Sequence, residues 1–566
     1  MADQQNSILP VEAGPNEVPD THHTRSPTSI SFVPSETATL SGGAGSGFTT
    51  GKGAPLEGLP EVGPLPPTTQ PSGEHRIPNI FVPEKRKNRT LVLCFDGTGD
   101  QFDNDNSNIV ELFSILKKDD PDNQMVYYQA GIGTYTVPQI ATPLMAKISK
   151  TLDEMIAWNL DAHIMGGYEF LMQNYKAGDK ICIFGFSRGA YTARCLAGMI
   201  HKVGLLPACN HQQVPFAYKM YTRTDALGWK QSNAFKAAFS CHVDIYFLGV
   251  WDTVNSVGLF PRRLPFTTSN TCVRVFRHAI ALDERRAKFK QNGWNAPSRK
   301  ELSLAKSDGV PAANNEEDAN TQHGHHPSVG REKKNGKMTQ RRFEREYSDI
   351  YEKPSDVEEV WFAGCHCDVG GGSVTNGIRP NLARIPLRWM IRQAFETETG
   401  ILFSARGLRH IGIDLDQETW CPTRKSPSSL KVPEGSIIDN PKPPARLTDE
   451  EHDKLVHEMA AEEHYMPEEE IDLRDALSPI YDQLSLAPYW WALELFPIKQ
   501  RYQKSDNTWA SSYGFNLGRG RRIPRQNKQG VKVHRSVQWR MEATHASGEK
   551  YSPKANLKLD KVTWVD

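Results

Sequence analysis

Apolar and polar positions sort the middle of the chain into short buried strands separated by helices. Thr90-Leu-Val-Leu-Cys-Phe95 is an uninterrupted apolar run, and Asp96-Gly97-Thr98-Gly99 then turns the chain, which predicts a buried strand feeding a glycine loop. From Asn108 to Lys117 the apolar positions Ile109, Leu112, Phe113 and Leu116 have helical spacing. A second strand is expected at Met125-Val-Tyr-Tyr. A helical stretch follows over 138–176, through Leu144, Ile148, Leu152, Ile156, Leu160, Tyr168 and Leu171. Lys180-Ile-Cys-Ile-Phe reads as a third strand, Tyr191 to Val203 as a helix, Val243 to Trp251 as a fourth strand and Glu359-Val-Trp-Phe-Ala-Gly as a fifth. Strands that are apolar along their whole length and alternate with helices imply a mostly parallel sheet covered by helices on both faces. The expected fold class is therefore α/β, and ligands are expected at the carboxyl ends of the strands.

Composition divides the rest. Residues 1–75 hold 11 Pro and 10 Gly but only two aromatics, Phe32 and Phe48. Such a stretch buries too little apolar surface to offset the entropy of ordering, so residues 1–86 are expected to form a disordered tail ahead of one catalytic domain over 87–566. The segment 46–53 faintly suggests a phosphate-binding loop, but Ser46 stands where the first glycine belongs and Gly53 replaces the magnesium-binding Ser or Thr. Residues 297–342 have no aromatic at all and predict a solvated, disordered insertion. Residues 422–470 mix Pro-rich and acidic stretches, with a short helix expected near Asp449–Glu462. The aromatics return at Tyr489, Trp490 and Trp491, so 400–566 is expected to pack back on the sheet as a cap or flank.

Charge adds little to this picture. Lys plus Arg and Asp plus Glu number 67 each, which gives no bulk electrostatic reason to expect nucleic acid or an anionic membrane as a partner. The N-terminus lacks the basic and apolar segments of a signal peptide, no run approaches the ~18 apolar residues of a membrane span, and the nine Cys form no Cys-x-x-Cys pair. These features lead to the expectation of a reduced, cytoplasmic protein with no transmembrane segment. They leave peripheral membrane contact and oligomeric state open.

The chemistry concentrates at strand ends. Gly185-Phe186-Ser187-Arg188-Gly189 follows a strand and opens a helix, the setting of a nucleophile elbow, where small flanking residues let strand and helix approach. Ser187 is the expected nucleophile. A serine needs a base and the base an orienting acid, in the chain order Ser, acid, His for this fold. Asp252 ends the fourth strand and is the expected acid, with Asp283 and Asp368 as rivals. His366, in a Gly-rich stretch past the fifth strand, is the expected base, with His278 next. The oxyanion donors are expected to be the backbone N–H of Arg188, at a helix N-terminus, and Gly97 and Thr98 in the loop after the first strand. Asp96 could instead cap that loop or bind a cation. Cys365 and Cys367 flank His366 without other ligands at metal spacing, and His323, His325 and His326 fall in the insertion, so no metal and no cofactor is expected.

Taken together, Phe95-Asp-Gly-Thr98, Gly185 to Arg194, Val250-Trp-Asp-Thr-Val254, His278 to Glu284 and Gly364 to Gly371 resemble the α/β-hydrolase domain of type VI secretion phospholipase effectors and of many fungal proteins. The Pro-rich tail and the insertion look like a fungal elaboration of it. The resemblance implies a Ser-Asp-His triad at Ser187, Asp252 and His366. It also implies hydrolysis of an acyl ester, either a small-molecule or a lipid ester, with phospholipid as the substrate of the secreted members. The same residues would serve an amidase or thioesterase, and a non-catalytic binding protein could retain the sheet.

Overall fold

The computed structural model describes residues 88–98, 100–131, 145–254, 264–267, 272–295, 340, 343–344, 354–416, 422, 430–440, 448–463, 466–503, 509–545 and 547–566. The tail, the 46–53 loop, the histidines at 323–326 and all of the insertion except Gln340 lie outside them.

One eight-stranded sheet organises the described residues, and every pairing in it is parallel. Its strands are β1 (Thr90–Phe95), β2 (Gln124–Gln129), β3 (Lys180–Phe186), β4 (Ile245–Trp251), β5 (Val273–Ala281), β6 (Asp356–Phe362), β7 (Val531–His534) and β8 (Val562–Val565). In space they run β8-β7-β6-β5-β4-β3-β1-β2. The order reverses at β1, which lies between β2 and β3. The crevice at the carboxyl ends of β1 and β3 is thus the topological switch point, where open α/β sheets bind ligands.

Alternation along each strand feeds two cores. Leu91, Leu93 and Phe95 of β1 face one apolar cluster with Tyr168 and Leu171 of helix α2 (Met145–Asn174) and Leu196 and Ala197 of helix α3 (Ser187–Val203). Val92 and Cys94 face the other, with Ile109 and Leu112 of helix α1 (Asn108–Ser114) and Trp389 and Met390 of a helix at Arg384–Glu396. A sheet covered on both faces explains why β1 is buried along its full length.

Three features differ from the sequence reading. The strand β5 was not expected, because Arg274, Arg277 and His278 interrupt its apolar run. The fold accommodates the two buried ones with polar partners: Arg277 Nε donates to Gln393 Oε1 at 2.6 Å, and His278 Nδ1 meets Glu359 Oε1 at 2.9 Å. Helix α3 starts at Ser187 rather than Tyr191, so the serine belongs to its first turn. The C-terminal region is more than a cap, since β7 and β8 extend the sheet beyond β6. The helix expected near 449–462 is present at Asp449–Glu463.

The β3–α3 turn requires its glycines for space. A Cβ on Gly189 would lie 2.2 Å from the Asp96 carbonyl oxygen, and one on Gly185 2.6 Å from the Ala190 Cα. Both neighbours are backbone and cannot yield cheaply. Gly189→Ala is therefore expected to lower unfolding stability by about 2 kcal/mol, measured by urea denaturation. An unchanged midpoint would show that β1 and α3 can separate without cost.

Candidate active site

Three strand ends bring three side chains together. Ser187 stands directly after β3 and Asp252 directly after β4. His366 opens a short helix, His366–Gly370, reached from β6 through Gly364, whose φ of +108° suits glycine. Ser187 Oγ lies 2.8 Å from His366 Nε2, and His366 Nδ1 lies 2.5 Å from Asp252 Oδ2. Ser187 keeps 5 % of its surface exposed and Asp252 none. Both residues have left-handed backbones, with φ of +58° and +38°, which is costly for a side-chain-bearing residue and concentrates at functional sites. The surrounding ladder holds these conformations: Asp252 N donates to Ala279 O at 2.8 Å, and Thr253 N to His278 Nε2 at 3.1 Å.

The charge of Asp252 is fixed by a residue that the sequence did not suggest. Arg521, also without exposed surface, grips both carboxylate oxygens, Nη1 on Oδ1 and Nη2 on Oδ2 at 2.8 Å. Ala281 N donates to Oδ1 at 3.0 Å. Burial pushes the Asp252 pKa up, but the Arg521 charge and the bonds from His366 and Arg521 outweigh it and hold the carboxyl well below the usual range. An ionised Asp252 only accepts, so Nδ1 of His366 carries the ring proton and Nε2 offers its lone pair to the Ser187 hydroxyl. Burial lowers the His366 pKa, Asp252 opposes that, and the net direction is down, toward the neutral ring. Phe186 and Phe289 pack against this ring at 4.8 and 4.9 Å between centroids.

The rival residues have other work. Asp283 accepts from Gly364 N, Tyr551 Oη and Lys554 N, tying the C-terminal segment to β5 and β6. Asp368 accepts from Cys365 N and Tyr481 N, and burial raises its pKa to about 6. His278 has no exposed surface; its Nε2 accepts from Thr253 N, so Nδ1–H faces Glu359, and burial lowers its pKa. It braces the turn that carries Asp252. Cys365 Sγ donates to the Asp283 carbonyl, and burial pushes both its thiol and that of Cys367 up, away from the thiolate a metal needs.

Around the first strand the picture changes in one respect. Asp96 caps its loop: it accepts from Ser107 Oγ at 2.5 Å, Tyr128 Oη at 2.8 Å and Gly97 N at 2.8 Å. The Gly97 amide, expected as an oxyanion donor, is thus already engaged by the neighbouring carboxylate. Thr98 Oγ1 is buried and has no hydrogen-bond partner among the described residues. Arg188, expected to offer its backbone N–H, is the second residue of the 17-residue helix α3, whose dipole favours negative charge at that end. A cavity of about 220 Å³, lined by Asn108, Glu111, Arg379, Arg384 and His410 among others, does not include Ser187.

A parallel α/β sheet with a Ser–His–Asp hydrogen-bonded chain at its switch point defines the class. Within it, the chain belongs to the type VI secretion system phospholipase effector Tle1-like catalytic domain family, whose model matches residues 89–393. That span contains Ser187, Asp252 and His366 but not Arg521. The chain is 28 % identical over 546 residues to the uncharacterized protein YEL023C of Saccharomyces cerevisiae, covering 80 % of this chain and 79 % of that protein. Among solved structures, an uncharacterized protein from Pseudomonas aeruginosa aligns at 16 % identity and TM-score 0.29, over 69 % of this chain and 53 % of that one. The Tle1 effector, solved bound to the VgrG spike of the type VI secretion system, aligns at 19 % and TM-score 0.22, over 41 % and 54 %. The chain spans about half the length of these two solved chains.

Replacing Arg521 isolates the buried ion pair. Asp252 has a depressed folded pKa, so its contribution to stability is present above its unfolded value near 3.8 and is lost as pH falls toward the folded one. Arg521→Met removes most of that depression. It is expected to cost about 3 kcal/mol at neutral pH and to weaken the dependence of stability on acid pH, read from urea unfolding across about pH 3–7. Unchanged stability would remove the ion pair as an anchor.

Proposed function

We propose that the protein is a serine hydrolase that cleaves an acyl ester of a lipid, with Ser187 as nucleophile, His366 as general base and acid, and Asp252 as the acid that orients the imidazole. The observation that carries this reading is the unbroken chain from Ser187 Oγ through the imidazole to an ionised carboxylate. Membership in a phospholipase effector family supports a lipid ester as the substrate class.

In this mechanism Nε2 takes the hydroxyl proton as Oγ attacks the acyl carbonyl, and the imidazolium that forms is stabilised by Asp252. His366 then donates the proton to the leaving alcohol. Water repeats the sequence on the acyl-enzyme and regenerates Ser187. The tetrahedral oxyanion would be held by the Arg188 N–H at the start of α3 and by Thr98, whose buried hydroxyl lacks a partner among the described residues. Each such donor is worth on the order of 3 kcal/mol in the transition state. Arg521 keeps Asp252 charged and in place, so it is a positioning residue.

Labelling with a fluorophosphonate probe and hydrolysis of a panel of acyl esters, phospholipids, amides and thioesters test this. Ser187→Ala is expected to abolish labelling and to lower kcat by a factor of about 10⁴ or more. Equal labelling of wild type and Ser187→Ala would overturn the assignment. Because the free base is a neutral histidine whose pKa is lowered from 6.5, the acid limb of kcat/KM should inflect below that value. Asp252→Asn, which favours the wrong tautomer, should lower kcat by roughly 10⁴.

A further inference from the structure

An apolar surface lies two side chains, Trp490 and Phe289, away from His366 of the proposed site. Leu486, Tyr489, Leu495, Phe496, Tyr513 and Phe515 are each half or more exposed, Tyr489 by 72 % and Tyr513 by 75 %. They belong to one folded unit. Lys499 and Tyr513 are register partners in an antiparallel hairpin. Asn516 Nδ2 and Gly518 N both donate to Glu494 Oε2, and Trp491 Nε1 donates to the Leu484 carbonyl. The inner side of this unit reaches the site, since Trp490 meets Phe289 edge-on at 5.6 Å and Phe289 meets His366 at 4.9 Å. Arg285 fastens it from the sheet side through Asp482 at 2.7 Å.

Charge points to the occupant. The chain has zero net charge, yet residues 498–530 contain seven Lys or Arg against one Asp, leaving aside Arg521, which is buried on Asp252. Lys499, Arg519 and Lys528 of this stretch are exposed. Exposed Tyr, Phe and Leu set among basic residues match a membrane interface, where rings and aliphatic chains enter the headgroup region and cations meet anionic lipid.

We infer that the unit formed by residues 486–503 and 509–517 is a docking surface for a bilayer carrying anionic phospholipid, seating the protein so that a lipid ester is presented beside Ser187. The presentation step rests on the hydrolase reading; the docking itself does not.

Co-sedimentation of the full chain carrying Ser187→Ala, with phosphatidylcholine vesicles with and without phosphatidylglycerol, separates the two. Binding is expected to vesicles containing phosphatidylglycerol and to weaken with added salt. The combined Tyr489→Ser, Phe496→Ser, Tyr513→Ser and Phe515→Ser protein should bind at least about tenfold more weakly, and Lys499→Glu with Arg519→Glu should weaken binding in the same direction. With Ser187 restored, the four-fold variant should hydrolyse a water-soluble ester like wild type, which also reports an intact fold. Undiminished binding by that variant, or no binding to anionic vesicles, would overturn the docking surface. So would self-association removed by the same substitutions, since it would assign the face to a second copy. If no ester is hydrolysed while sedimentation behaves as expected, the hydrolase reading fails alone.

Discussion

A charge without exposed surface, the Asp252 carboxylate, sets the terms for the rest of the site. Placing an ion in a protein interior costs several kcal/mol unless its oxygens are fully engaged. Here Arg521 supplies two donors, Ala281 N one and His366 Nδ1 another. Arg521 in turn donates to the carbonyls of Ala281 and Phe289. The ends of β4 and β5 and a segment some 270 residues further on therefore form as one unit. That segment continues from the unit bearing the exposed aromatic surface, so the anchor of the carboxylate also anchors the surface.

Similar residue types serve opposite ends through their partners. His366 and His278 are both buried and both have lowered pKa values. In each, Nδ1 faces a carboxylate. They differ at Nε2, which meets a hydroxyl in His366 and a backbone amide in His278. The first arrangement leaves a lone pair beside a movable proton, whereas the second is a fixed brace. The carboxylates divide likewise. Asp252 stays charged against an arginine, while burial raises the pKa values of Asp283 and Asp368, whose partners include backbone amides and, for Asp283, the Tyr551 hydroxyl.

Local pattern made much of this legible. Continuous apolar runs identified β1, β3 and β4, because a strand buried on both faces has no polar alternation to hide it, and shorter apolar segments marked β2 and the end of β6. The Gly-x-Ser-x-Gly spacing identified the β3–α3 turn, because only glycine fits against the Asp96 carbonyl and the Ala190 Cα. Strand β5 escaped notice because its buried Arg277 and His278 are satisfied by Gln393, Asp356 and Glu359, partners from other elements that no window along the sequence contains.

The sequence by itself determined the α/β class, the serine at a strand-to-helix turn, and an aspartate and a histidine in order at later strand ends. These depend on interactions between near neighbours in the chain. Only the tertiary structure decided which aspartate and which histidine meet, that the Gly97 amide is already held, and that Arg521 keeps Asp252 ionised. Those choices follow from buried electrostatics between segments far apart in sequence, where a hydrogen bond of 2.5–3 Å either forms or does not. Composition and periodicity carry no record of it.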